Sequence, residues 1–293
     1  MSGTAASLRR KIASAGDLQS VVRTMKALAA ANVGQYERAG AALADYQRCV
    51  ELGLGVCLRN MLPGPPPEGG APRRTEPGID AIIFGSDQGL VGRFNDVVVD
   101  FALAKLAALP GRHRIWAVGQ RALSRLADAG ITPVGSFAVP NSVAAITPLV
   151  GRILVEREAH PVPGTPELHL FHNTPAPGAG YTPMAQRVLP LDAQWQGRLL
   201  KQHWPSPALP EVIGEPTAVL EELVREYLFV SVFRACAESL ASENASRLAA
   251  MQRADRNIQD LLADAQAAFH QLRQSSIDEE LFDVTAGFEA LAR

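Results

Sequence analysis

Hydrophobic positions in the C-terminal part of the chain recur at alternating intervals of three and four residues. They fall within a stretch from Thr217 to Ala286 that contains neither glycine nor proline. The residues that fill it, chiefly Ala, Leu, Glu, Gln and Arg, lose little conformational freedom in a helix. The stretch therefore predicts one helix of about 105 Å, longer than a compact globule of this chain length could contain.

The three-and-four spacing is that of a coiled-coil seam. The alternative is an amphipathic helix in an ordinary bundle, which the length disfavours. Asn244 occupies one seam position, where a buried Asn specifies helix pairing. The predicted seam residues are Val230, Phe233, Ala237, Leu240, Asn244, Leu248, Met251, Ala254, Ile258, Leu262, Ala265, Phe269 and Leu272.

A second stripe with the same spacing begins near the N-terminus. Gly16, Gly34 and Gly40 interrupt it, each at a cost of about 1 kcal/mol relative to Ala, so this helix is expected to depend on its partner. The predicted positions are Leu8, Ile12, Ala15, Leu18, Val22, Met25, Ala29, Asn32, Tyr36, Ala39, Leu43, Tyr46 and Val50.

Between the two stripes the pattern changes to short apolar strands alternating with helical stretches, which is typical of a mainly parallel sheet. Strands are predicted at 80–84, 114–118, 131–138, 167–172 and 181–191, and helices at 95–109, 120–129 and 142–156. The predicted fold class is α/β: a long antiparallel coiled coil of N- and C-terminal helices with an inserted Rossmann-like α/β domain. The predicted domains are the N-terminal helix (1–60), a Pro/Gly-rich linker (61–78), the α/β domain (79–210) and the C-terminal helix (211–293).

The composition and charge of the chain narrow the range of possible functions and partners. A net charge of -2 gives no general attraction for phosphates, so nucleic acid is not an expected partner. No segment has the roughly 20 apolar residues that span a bilayer, and an organellar presequence is disfavoured because the helical pattern starts at Leu8. Cys49, Cys57 and Cys236 lack metal-ligand spacing and are interpreted as reduced cytosolic thiols, with a regulatory disulfide as the weaker alternative.

The most enzyme-like segment is GSDQGLVGRFN, Gly85 to Asn95, which follows a strand and opens a helix, where a phosphate loop would lie. It lacks the Lys-Ser/Thr ending of a P-loop and the dinucleotide glycine spacing, so a tight turn is favoured. His169 and His172 point to opposite faces of a strand and cannot share a metal. The acidic cluster at 278–283 suits a solvated helix face. No catalytic, metal or cofactor residue is predicted.

Four segments resemble the signature blocks of a known family: KIASAGDLQSVVRTMKALAAAN (11–32), GSDQGLVGRFN (85–95), ESLASENASRLAAMQRADRNIQDLL (238–262) and LRQSSIDEEL (272–281). In this order they resemble the gamma subunit of F-type ATP synthases. The resemblance implies a non-catalytic rotor that stands inside a ring of alternating alpha and beta subunits. It also implies contacts with the epsilon subunit and the membrane ring of c subunits, without insertion into the membrane, at the cytoplasmic face of the bacterial inner membrane.

By position in these motifs, the resemblance implies subunit contacts for five residues. Met25 and Lys26 would face the lever region of the beta subunits, and Arg247, Gln274 and Asp278 the catch loops around the shaft. For each, the plain alternative is a solvated or seam residue.

The chain also departs from the family pattern. Val91, Arg93 and Phe94 stand in a block that usually reads closer to GLCGGLN, and Asp278 stands where Thr is common. These departures suggest a divergent paralogue, such as the gamma subunit of an alternative, sodium-translocating enzyme. Two other functions stay open at this point: an α/β ligand-binding protein that dimerises through its long helices, and a coiled-coil adaptor without a motor role.

Overall fold

The computed structural model describes residues 4–61, 78–160, 166–176, 180–191, 193–208 and 210–291. It divides into two units, described separately below: a helical unit of residues 1–29 and 247–293, and a sheet unit of residues 30–246. Helix α1 (Ala5–Met61) and helix α6 (Pro216–Leu291) contribute to both. The continuous C-terminal helix is therefore confirmed. The predicted linker lies outside the described residues, apart from Met61 and Gly78.

In the helical unit the two helices pack antiparallel, since low-numbered residues of α1 meet high-numbered residues of α6. The Arg9 guanidinium lies 5.2 Å from the centre of the Phe269 ring, and Gln19 bonds Asp255. The positions buried between the helices are Ala15, Val22, Ala29, Met251, Asp255 and Ala265. All but Asp255 belong to the predicted stripes.

The seam prediction is wrong for two residues of α1. Leu18, in the helical unit, is 54% exposed, because Gln19 turns inward at that level to reach Asp255. Tyr46, in the sheet unit, is 45% exposed and donates its hydroxyl proton to Glu226 at the surface (2.8 Å). A prediction based only on apolar spacing cannot identify polar residues that occupy positions facing the partner helix.

The sheet unit holds one five-stranded sheet in the order β3-β2-β1-β4-β5. The first four strands are parallel and β5 runs antiparallel to β4, as expected for a Rossmann-like insertion with one added edge strand. The strands are β1 (Ile79–Phe84), β2 (His113–Val118), β3 (Gly135–Phe137), β4 (Glu167–Ala176) and β5 (Gly180–Leu189). The weak strand predicted at 131–138 is reduced to three residues.

Helices cover both faces of this sheet, so β1 is buried along its whole length. Ile79, Ala81 and Ile83 pack on one face against helices α2 and α3, whereas Ile82 and Phe84 pack on the other against α4 and the long helices. The helices are α2 (Phe94–Ala107), α3 (Gln120–Asp128), α4 (Ile146–Glu158) and α5 (Ala193–Lys201).

Asp80 is a fully buried charge within the sheet. Its carboxylate accepts from Arg114 of β2 at 2.6 Å and from Arg157 of α4 at 2.7 Å. The guanidinium of Arg114 also lies over the Trp116 ring, 5.2 Å from its centre. Two short charge-assisted bonds compensate the desolvation of the carboxylate and tie β1 to its neighbours.

A second polar group joins α6 to β4. The Glu238 carboxylate bonds His172 of β4 at 3.0 Å and accepts from Arg234 at 2.7 Å. Burial raises the pKa of Glu238, but the hydrogen bonds with His172 and Arg234 outweigh burial and lower the pKa to about 2. One turn further along α6, the Ser242 hydroxyl donates to the carbonyl of Asn173 (3.0 Å).

Helix α5 lies between the predicted strand 181–191 and the C-terminal helix, where the sequence predicted no element. Trp195 packs edge-on against Tyr227 of α6, and Leu199 is buried. A Cβ at Gly55 of α1 would lie 3.1 Å from the Leu199 carbonyl oxygen. The close approach of α1 to α5 therefore favours glycine at this position.

Candidate functional site

The loop Gly85 to Asn95 directs its polar groups into its own fold. The Ser86 amide donates to the Asn95 side-chain oxygen, and the Asn95 side-chain nitrogen donates to the Ser86 hydroxyl, both at 2.9 Å. Asp87 accepts from the backbone amides of Gln120 and Val139, each at 2.9 Å. The polar side chains of Ser86, Asp87 and Asn95 are thus used to hold the turn.

The backbone of this loop matches the tight-turn interpretation. Gly92 has a φ of 61°, which glycine adopts without strain. A Cβ at Gly85 would lie 2.5 Å from the Cβ of Ala122, so only glycine lets β1 and α3 approach. Leu90 also has a positive φ, 64°. The Ser246 hydroxyl of α6 donates to the Val91 carbonyl at 2.6 Å and anchors the loop.

The described residues contain no group of three or more His, Cys, Asp or Glu side chains placed to hold a metal ion. Within the same residues, no helix is long and apolar enough to cross a membrane. His169 bonds Glu167 (2.9 Å) and His172 bonds Glu238. Both histidines have structural partners.

All five predicted contact residues belong to the helical unit. Lys26 donates to Asp255 of α6, with its Nζ 2.6 Å from Oδ2. Gln19 and Arg23 reach the same carboxylate at 3.3 and 3.5 Å. The hydrogen bond from Lys26 holds the pKa of Asp255 below its usual range. Lys26 is therefore engaged within the chain, a contact that the sequence did not predict.

Met25 is half-buried beside an apolar stripe on the outer side of α1. Leu18, Val21 and Leu28 are each more than half exposed. Their spacing of three and seven residues places them on the same side of the helix as Met25. Leu18 and Met25 were assigned to the predicted seam, whereas Val21 and Leu28 were not, so the sequence contained this stripe but did not separate it from the seam.

Arg247 is half-buried at the point where the helical unit's share of α6 begins. Gln274 and Asp278 are exposed and lie further along the helix. Gln274 follows Asp255 by 19 residues, roughly 28 Å along the axis. Met25 and Lys26 thus lie close to the level of Asp255, Arg247 lies eight residues before Asp255 on α6, and Gln274 and Asp278 lie well beyond it.

Gln274 and Asp278 belong to a part of α6 that has no covering helix among the described residues. Arg9 lies over Phe269, and the first residue of α1 is Ala5. Every residue from 273 to 285 is exposed. The exposed large apolar side chains are Ile277, Leu281, Phe282 and Val284. This segment presents apolar and acidic side chains together.

Comparison with known proteins gives a consistent result. The family model described as ATP synthase matches residues 4–291. A chain in the rotor structure of the Euglena gracilis mitochondrial ATP synthase is similar to this chain, with a TM-score of 0.62 and 16% identity, over 94% of this chain and 99% of that one.

Two further structures are similar. A chain in the OSCP/F1/c-ring structure of the same Euglena enzyme has a TM-score of 0.64 and 17% identity, over 99% of this chain and 95% of that one. A chain in the central stalk and c-ring of the Tetrahymena thermophila mitochondrial ATP synthase has a TM-score of 0.52 and 19% identity, over 80% of this chain and 99% of that one. At these identities, the solved structures support the fold.

Proposed function

We propose that this chain couples ion flow through a membrane ring to ATP synthesis or hydrolysis in an alpha-beta hexamer. It belongs to the gamma-subunit family of ATP synthases and is a non-catalytic, central-stalk rotor subunit of an F-type enzyme. The observation that carries this proposal is the family match, which spans both long helices and the inserted domain.

Coupling of this kind requires one asymmetric surface that meets three beta subunits in three orientations. Each orientation then biases a different nucleotide affinity, which is linkage between rotation angle and binding. The helical unit supplies such asymmetry. One side of α1 carries the apolar stripe, and the other carries Arg23 and Lys26 with their bonds to Asp255.

We assign the contact with the beta subunits to the outer side of α1 around Met25. Residues 1–29 contain five basic side chains and one acidic one, so a partner surface that combines apolar and acidic residues is complementary. Arg23 is 57% exposed while it shares Asp255. Lys26 contributes less than the family position implies, because its ammonium is already paired.

We assign a second contact, with the inner surface of the hexamer, to the exposed segment 273–285. Its apolar side chains lie unburied on an otherwise acidic helix, as expected of a surface that a partner covers. Gln274 and Asp278 would act there. From the family we also propose contacts with the epsilon subunit and the c-subunit ring. The chain would then lie peripherally at the cytoplasmic face of a bacterial membrane. The sodium-translocating variant stays a prediction, since ions are bound by other subunits.

The test is co-expression of the chain with the alpha and beta subunits of its own organism, followed by purification and mass determination. We expect one copy per hexamer and an ATPase activity that depends on it. A stable free homodimer that does not join the hexamer would overturn the rotor assignment and favour the ligand-binding alternative.

A second experiment tests the C-terminal contact. Removal of residues 272–293 should weaken assembly or uncouple ATP hydrolysis from ion transport while the sheet unit stays folded. Serine replacement of Leu281 and Phe282 should have the same direction of effect, and replacement of the exposed Asp260, which lies outside this segment, serves as the matched control. Unchanged coupled hydrolysis in the truncated complex would refute this contact.

A further inference from the structure

Three donors on one flank of α1 converge on a single carboxylate of α6. Gln19, Arg23 and Lys26 are spaced four and three residues apart and reach Asp255 at 3.3, 3.5 and 2.6 Å. Asp255 is buried, with 6% of its surface exposed. In a two-helix segment these donors all come from the facing helix. Their contacts with the carboxylate therefore depend on the rotation of α1 about its own axis.

The apolar stripe lies on the other flank of α1. At about 100° per residue, Leu18, Val21 and Leu28 fall on the opposite side of the buried line Ala15, Val22 and Ala29 from the three donors. The inner line is thus made of small residues, whereas larger apolar residues face outward.

This arrangement has a competing alternative. Rolling α1 toward its apolar flank would place Leu18 and Leu28 in the seam in place of Ala15 and Ala29, and would bury more apolar surface. The same roll would carry the donors away from Asp255 and leave a buried carboxylate without partners, which is strongly unfavourable. The polar contact therefore opposes the hydrophobic preference.

We propose that Asp255 is a positioning residue that fixes the rotation of α1, so that the stripe of Leu18, Val21 and Leu28 stays exposed for a partner subunit. The role in the complex rests on the proposed function, whereas the rotational lock is a property of the isolated chain. Lys26 thus acts through Asp255, as one of the donors that set the position of Met25 and its apolar neighbours.

The test measures the exposure of two adjacent positions in the full-length chain. Ala29→Cys reports a buried position and Leu28→Cys an exposed one, in a background where the exposed Cys49 is replaced by Ser. Maleimide labelling rates are compared with Asp255 present and with Asp255→Ala. The matched control is Asp260→Ala, which removes an exposed carboxylate from the same helix.

In the Asp255→Ala background we expect labelling to rise about tenfold at position 29 and to fall several-fold at position 28, because the rolled conformation becomes populated. Asp255→Glu, which keeps the carboxylate, should restore the original order, and Asp260→Ala should leave it unchanged. A rise in labelling at both positions would mean that the helices simply fray, and it would overturn the lock. Unchanged labelling at both positions would also overturn it.

The same variants separate the lock from the rotor proposal. In the complex with alpha and beta subunits, Asp255→Ala should lower the ATPase rate and Asp255→Glu should rescue it. Suppose that in the isolated chain labelling rises at position 29 and falls at position 28, while the ATPase rate of the complex is unaffected. The lock then stands, and the contact assigned to this side of α1 is overturned.

Discussion

Asp80 in the sheet unit and Asp255 in the helical unit are both buried carboxylates that meet two basic side chains, but their partners differ in exposure. Arg114 and Arg157 are about nine-tenths buried beside Asp80. Arg23 is 57% exposed and Lys26 is 36% exposed beside Asp255. In a layered unit, where an apolar core already fixes each element, the ionic group mainly affects stability. In a pair of helices it also decides which side faces inward.

Loss of the Asp80 carboxylate should have the largest effect on stability. Asp80→Ala leaves two buried guanidinium groups without their partner, and we expect unfolding to become easier by about 3–5 kcal/mol. Urea unfolding followed by circular dichroism measures this. Asp100→Ala, which removes a half-exposed partner of Arg125, is the control and should cost under about 1 kcal/mol. Equal losses in both variants would contradict the comparison.

Glu238 should make stability pH-dependent. Its folded pKa of about 2 lies below its ordinary value of 4.5, so its contribution is present above pH 4.5 and disappears as the pH falls toward 2. We expect a loss on the order of 2–3 kcal/mol over that interval. Glu238→Gln removes this titration and should flatten the stability profile between those pH values. An identical slope in the variant would show that other carboxylates dominate.

Asn244 tests whether the core or a polar residue fixes the pairing in the sheet unit. It is buried, donates to the Leu240 carbonyl at 2.8 Å, and accepts from Asn32 at 3.4 Å. Because the apolar core holds both helices here, Asn244→Leu should raise stability by about 1 kcal/mol without a change in register. Pulsed EPR between labels at the exposed positions 48 and 222 would detect a one-turn slip of about 5.4 Å.

Asp255→Asn should have the smallest effect on stability. Its basic partners are more exposed than those of Asp80, so the loss should be well below that of Asp80→Ala, and added salt should reduce it further. Thermal unfolding at low and high ionic strength measures both effects. A loss as large as that of Asp80→Ala would remove the distinction between the two units.

Much of the fold follows from local pattern. The strands at Ile79–Phe84 and His113–Val118 and the helix Pro216–Leu291 are each set by a dense apolar run or by an absence of helix breakers. Helix α5 could not be predicted in this way. It has nine residues in a region for which no element was predicted, and it is stabilised by Trp195 and Leu199 packing on the long helices.

The contact surface was less predictable, because apolar periodicity alone allows two rotations of α1. A stripe through Leu18 and Met25 and one through Ala15 and Val22 both satisfy the spacing. The choice depends on Asp255, which meets its donors only after two distant segments pair. Family motifs identified Lys26, but its role depends on a carboxylate 229 residues away.

The three cysteines differ in chemical reactivity. Cys49 is exposed, while Cys57 and Cys236 are buried. Burial raises the pKa of the Cys57 and Cys236 thiols, and thiolates are the form that reacts with electrophiles. The native chain therefore offers Cys49 as a single attachment point for a probe, through which the turning of one rotor could be followed under a microscope without altering its sequence.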